Sequence, residues 1–128
     1  MRSFGIQTSA RSQCINITDQ VQEAVQALGI TDGVITVFTP HTTCAVTINE
    51  NADPDVVGDI LMQLEALAPW ENAAYKHAGG NTAAHMKASL VGSSVQVIVT
   101  SGNLQLGMWQ GIFLCEFDGP RIRHVWVQ

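Results

Sequence analysis

Apolar and polar positions along this chain switch between two periods, and the switches mark the elements. Residues 2–8 and 11–17 read as two short strands, the second through the run SQCINIT. From Thr18 the period lengthens. Val21, Val25 and Leu28 recur at i, i+4 and i+7, Thr18 stands as the N-cap, Asp19 lies in the first turn and Gly29 ends the helix. Residues 33–39 are rich in β-branched side chains and apolar on both faces, as an interior strand requires. Residues 44–49 alternate, with Cys44, Val46 and Ile48 on one face and Thr47 and Asn49 on the other. Extended back to His41, that parity puts the histidine on the polar face, although Pro40 disfavours the extension.

A second helix opens at Asp53 as N-cap with Pro54 in the first helical position. It carries Val57, Ile60, Leu61 and Leu64 as its apolar stripe and stops at Pro69. Residues 70–81 form a loop that is long for so small a protein, and such loops are often functional. A short helix runs from near Thr82 to about Val91. The remaining strands are 94–100, 103–107, 109–117 and 121–127, with Ser-Gly-Asn and Asp-Gly-Pro as turn signals. Strands at both ends with helices between them predict a single α+β domain over residues 1–128.

Composition narrows the function classes. With 46% apolar and 13% charged residues, the surface has little charge to cover it, so part of it is expected to pack against other copies of the chain. A net charge of −5 and six scattered basic residues leave no stripe to neutralise a phosphate backbone, which excludes nucleic acid. No apolar run reaches the roughly 18–20 residues needed to span a bilayer. The N-terminal stretch has no apolar core of a secretory signal. Cys14, Cys44 and Cys115 form no CxxC and give little support to a disulfide framework, so a cytoplasmic protein with reduced thiols is expected. Cys44 and Cys115, set in apolar runs, read as small buried hydrophobes.

The residues with chemistry to offer are few. His124 shares its strand face with Ile122 and Trp126 and reads as a half-buried core histidine. His41, His77 and His85 lie in or beside polar loops at element ends, where separate parts of a chain can converge. Spacing alone leaves a shared site and three solvated loop residues equally open. His85 falls in the first turn of its helix, whose dipole favours a neutral imidazole fit to ligate a metal or donate a hydrogen bond. Gly79, Gly80 and Asn81 before it can turn backbone N–H groups inward as an anion cradle, with Lys87 as a further positive charge. Glu50, just past a strand end, is the best carboxylate for a general base or for orienting a ligand histidine. No serine is arranged as a nucleophile elbow.

The runs PHTTCAVTINENADPDV, AHMKASLVGSS and GNLQLGMWQGIFLCEFDGPRIRHVWV resemble, in order and over nearly the whole chain, the YjbQ-like family, also called secondary thiamine-phosphate synthase. The resemblance implies a two-sheet β-sandwich of about seven strands with two to three helices, assembled as a homotrimer. It also implies a polar pocket at His41, His77 and His85 where metal ions bind, and a weak thiamine-phosphate synthase activity. Zinc suits three imidazoles better than magnesium or manganese does. On this reading Glu50 and His85 are catalytic, while Gly80, Asn81, Lys87 and Gln110 of the Trp-Gln-Gly motif bind a small phosphorylated metabolite. Trp109 or Tyr75 would face an aromatic ring, with core packing as the default for Trp109. Ala78-Gly79-Gly80 departs from the more acidic loop usual after that histidine. Two other readings stand beside the transferase: a module that binds a phosphorylated metabolite without turnover, and a metal-dependent hydrolase.

Overall fold

The computed structural model describes residues 1–128. Its elements are β1 (Arg2–Gln7), β2 (Gln13–Asn16), α1 (Thr18–Leu28), β3 (Gly33–Phe38), β4 (Cys44–Glu50), α2 (Pro54–Leu67), α3 (Thr82–Val91), β5 (Ser94–Thr100), β6 (Asn103–Leu104), β7 (Gln110–Glu116) and β8 (Ile122–Val127). Two antiparallel sheets result, one in the order β1-β8-β3-β5-β6 and the other β2-β7-β4. The α+β class is as expected, and the eight strands are those read along the chain, with the one expected over 103–107 shortened to the two-residue β6.

Period-two alternation distributes the core on either side of the smaller sheet. Cys44, Val46, Ile112 and Leu114 face the larger sheet and meet Ile35, Val37, Val97, Val99, Val125 and Val127, with Val21 and Val25 of α1 closing the layer. The opposite parity, Ala45, Phe113 and Cys115, packs against α2 and α3. No helix is long and apolar enough to cross a membrane.

The helix signals hold with two amendments. Asp53 Oδ1 accepts the Asp55 N–H at 2.9 Å with Pro54 behind it, and Gly29 takes a left-handed φ of 68° at the end of α1. Thr18 does not cap α1. Its hydroxyl accepts the Ile112 N–H at 2.9 Å and so ties the helix to β7. The stripe on α2 is only partly buried, with Val57, Leu61 and Leu64 packed against the cluster that includes Phe113 and Cys115.

β8 reverses one expectation. Arg123, Val125 and Val127 point inward, while Ile122, His124 and Trp126 stand on the outer face. His124 is therefore no core histidine. Both parities of this strand carry apolar residues, and the charge on Arg123 disguised the inner one. Trp109, expected in the core, is 60% exposed in the turn before β7.

Candidate functional site

The segment Thr39 to Thr43 carries the chain from the larger sheet to the smaller, and hydrogen bonds at Thr39, His41 and Thr43 fix it to β8. Thr39 Oγ1 donates to the His124 carbonyl at 3.0 Å. The His124 N–H donates to His41 Nε2 at 2.9 Å. Arg123 Nη2 donates to Thr43 Oγ1 at 2.7 Å.

Arg123 reaches Thr43 from inside the protein, where it forms a two-point pair with Glu116, Nε to Oε1 at 2.8 Å and Nη2 to Oε2 at 2.5 Å. Both side chains are buried. The Thr8 hydroxyl adds a hydrogen bond to Oε1 at 2.7 Å, and the Phe117 and Asp118 N–H groups reach Oε2 at 3.0 and 3.1 Å. Burial pushes the Glu116 carboxyl upward, but Arg123, Thr8 and the Asp118 N–H together hold it below the ordinary carboxylate range. This pair positions the loop that carries His41. Its signal in the sequence is faint: one acid and one base, each at an inward position of an otherwise apolar strand.

The Thr39–Thr43 segment, one face of α3 and the outer side of β8 enclose an open cleft of about 850 Å³. His41, Thr42, His85, Ser89, Ser93 and Trp126 contribute to its lining. Trp126 packs on Phe38 with ring centroids 5.5 Å apart, which makes one wall aromatic. Partial burial, with Arg123 and His124 close by, holds the His41 imidazole below its ordinary pKa. Because its Nε2 accepts a backbone N–H, the proton of the neutral ring sits on Nδ1. His41 is thereby fixed as a neutral imidazole with one N–H to donate.

His85 borders a second recess, of about 300 Å³, shared with His77 and Thr82. The two rings meet edge-on with centroids 5.6 Å apart. A Cβ on Gly79 would fall 2.7 Å from His77 Nε2, so this glycine lets the ring fold back over its own loop.

The three-histidine metal set is not assembled within one chain. The structure brings His85 together with His77, and with His41 across the larger cleft. However, His41 has one nitrogen engaged by a backbone N–H and the other protonated, leaving no lone pair free for a metal. No group of three or more His, Cys, Asp or Glu side chains is disposed to hold a metal ion. A metal site built from all three histidines is thus not formed within a single chain.

Several other expected site residues serve the fold instead. Lys87 is only 2% exposed and is ion-paired with Glu65 of α2, on the side of α3 packed on the sheet. The Lys87 ammonium, helped by the Trp70 N–H, holds Glu65 below the ordinary carboxylate range. The Gly80 N–H donates to the His77 carbonyl at 3.2 Å, and the Asn81 amide donates to Asp118 at 2.8 Å. With a carboxylate beside it and Lys87 withdrawn, the anion cradle is not formed. Glu50 and Gln110 pair across β4 and β7, six residues along from the Cys44–Glu116 pair. That separation is about 20 Å at the usual strand rise. Glu50 cannot reach His41 or His85 in the same chain, and Gln110 accepts the Gly107 N–H at 2.8 Å within its own turn. Tyr75 donates its hydroxyl to the Pro69 carbonyl. The aromatic groups that do reach the cleft are Phe38 and Trp126, the latter assigned to packing by the strand pattern.

A two-sheet α+β domain with a histidine-lined cleft where the chain crosses between its sheets is the class defined by this geometry. The chain belongs to the UPF0047 protein YjbQ-like family, whose model matches residues 2–128. It is 49% identical over 128 residues to the UPF0047 protein YugU of Bacillus subtilis, covering 100% of this chain and 97% of that protein. The UPF0047 protein MJ1081 of Methanocaldococcus jannaschii is 44% identical, with 98% and 90% covered. The fold matches the crystal structure of an uncharacterized YjbQ/UPF0047 family protein from Clostridium acetobutylicum, with a TM-score of 0.97, 52% identity and coverage of 100% and 98%. The conserved hypothetical protein TT1486 of Thermus thermophilus matches with a TM-score of 0.93, 41% identity and coverage of 100% and 98%.

Proposed function

We propose that the cleft between His41, His85 and Trp126 binds a small phosphorylated metabolite that carries an aromatic ring. The observation that supports this most directly is the convergence of a fixed neutral N–H donor, His41, with an aromatic wall and the hydroxyls of Thr42 and Ser93. Neutral donors hydrogen-bond phosphate oxygens, and an indole face stacks on a flat ring. With Lys87 and Arg123 themselves buried and both committed to ion pairs, neither is available to neutralise a leaving diphosphate. Capture without efficient turnover is therefore the reading that the geometry favours. The weak thiamine-phosphate synthase type of transfer is the second reading, favoured by the Phe38–Trp126 wall, against which a pyrimidine would lie. The test is calorimetric titration of the chain with pyrimidine and thiazole phosphates. Binding that weakens about tenfold or more in His85→Ala and Trp126→Ala is expected, which corresponds to roughly 1.4 kcal/mol. Equal affinity in both variants and the parent would sink the reading.

The same proposal has the chain acting as a homotrimer in the cytoplasm. Val34, Ile98 and Ile122 are each about 60% exposed on the outer face of the larger sheet, and Val34 lies directly opposite Ile98. An apolar face of this kind calls for a cover. The count of three rests on the family resemblance rather than on the patch. Light scattering should return three chains for the parent and a smaller assembly for Ile98→Glu; a monomeric parent would contradict it.

A further inference from the structure

Cys14 and Cys115 are 101 positions apart in sequence, yet they stand directly opposite each other on β2 and β7, with sulfurs 3.5 Å apart. Residues opposite one another on antiparallel strands have Cα atoms about 4.5 or 5.5 Å apart, and disulfides bridge about 4.4–6.8 Å. Only the approach of the sulfurs to about 2.0 Å is needed to close the bond. The pair is also reachable. β2 is an edge strand, Cys14 is only partly buried, and both sulfur-bearing residues line an apolar cavity of about 300 Å³ bounded by Val57, Leu64, Leu90 and Phe113. This cavity is distinct from the histidine cleft and shares no lining residue with it.

The two thiols are unequal. When Cys14 ionises, the Cys115 thiol hydrogen-bonds its thiolate, which lowers the Cys14 pKa despite partial burial. Cys115 is raised well above the ordinary thiol value by its hydrogen bond to Cys14, by burial, and by the neighbouring Cys14 and Cys44. Cys44 is buried against Thr39, and burial pushes its thiol up as well. Thiolate character and access, the two conditions for reactivity, therefore coincide at Cys14 alone.

We propose that Cys14 and Cys115 form a thiol–disulfide exchange site for low-molecular-weight disulfides, with Cys14 as the attacking and Cys115 as the resolving thiol. The Cys14 thiolate attacks one sulfur of RSSR, forming a Cys14–SR bond and releasing RS⁻. The Cys115 sulfur, losing its proton, then attacks Cys14 Sγ and expels the second RS⁻. Two protons leave the cysteines and two thiols form, so the dithiol is oxidised by two electrons and one RSSR is reduced to two RSH.

Oxidised glutathione is the probe. The native chain is incubated with it near neutral pH, its remaining thiols are alkylated, and the products are mapped by mass spectrometry. The expected product is an intrachain Cys14–Cys115 link, with Cys44 alkylated only after unfolding. Cys115→Ser should stop at a glutathione adduct on Cys14, and Cys14→Ser should lose the reaction in the folded state; circular dichroism checks that both variants fold. A native chain that keeps both thiols while the unfolded chain is oxidised would overturn the proposal. So would glutathionylation of Cys14→Ser as fast as the parent, or a link between two chains. None of these outcomes bears on the histidine cleft, so the two readings fail separately.

Discussion

Glu116→Ala is expected to lower the unfolding free energy by about 3–5 kcal/mol, the range for removing one partner of a buried ion pair. The substitution leaves the Arg123 guanidinium buried with only Thr43 to receive its hydrogen bonds. Arginine has no accessible neutral form to escape to. Against a typical stability of about 5–15 kcal/mol this is a large fraction. A shift in the urea midpoint without a change in slope would measure it; a loss under about 1 kcal/mol would show that the pair adds little. The same pair dictates an acid limit. Glu116 is depressed in the folded protein, so its contribution is complete above the unfolded carboxylate pKa of about 4.3 and is lost as pH falls through the lower folded value. Glu65, depressed by Lys87, acts in the same direction, but as a half-exposed group it contributes less. The variant should therefore lose part of the parent's stability dependence in that acid window.

Gly119→Ala carries the second large effect, about 3 kcal/mol of destabilisation, at the top of the usual overpacking range. A Cβ there would lie 2.3 Å from the Ala10 carbonyl oxygen and 2.8 Å from both Glu116 Cγ and Thr8 Oγ1. The first of these is backbone and cannot swing aside. Thr8 is itself held, since its Oγ1 accepts the Arg121 N–H at 2.8 Å while bonding Glu116. The strain would fall on the same network that fixes the Thr39–Thr43 segment. Thermal unfolding checks it, and a melting temperature unchanged from the parent would contradict this account of the turn.

What the sequence made legible was local. Asp53 with Pro54 announced α2, Gly29 closed α1, and alternation found the strands, because each of these signals depends on residues a few positions apart. The site depends on distant ones. His41 owes its tautomer to a backbone N–H on β8, and Thr43 owes its partner to Arg123, and neither pairing has a periodic signature. Glu50 was expected just past the strand that begins near His41, yet it is the last residue of β4, and the extended strand carries it to the far end of the sheet. Lys87 was expected to face a bound anion because it is charged; it shares the buried side of α3 with Ala83, Ala84 and Ala88. Small neighbours left room for a long side chain, and Glu65 on α2 supplied the counter-charge. His77 and His85 were brought together as expected, since one short loop and one helical turn separate them.

The central claim is that His41 is a neutral donor in a ligand-binding cleft, and imidazole NMR tests it most directly. The account predicts a ring protonated on Nδ1, titrating below an ordinary histidine, whose Nδ1–H signal shifts when a pyrimidine phosphate is added. A ring protonated on Nε2, or a His41 signal unmoved by every phosphate while other residues respond, would contradict it.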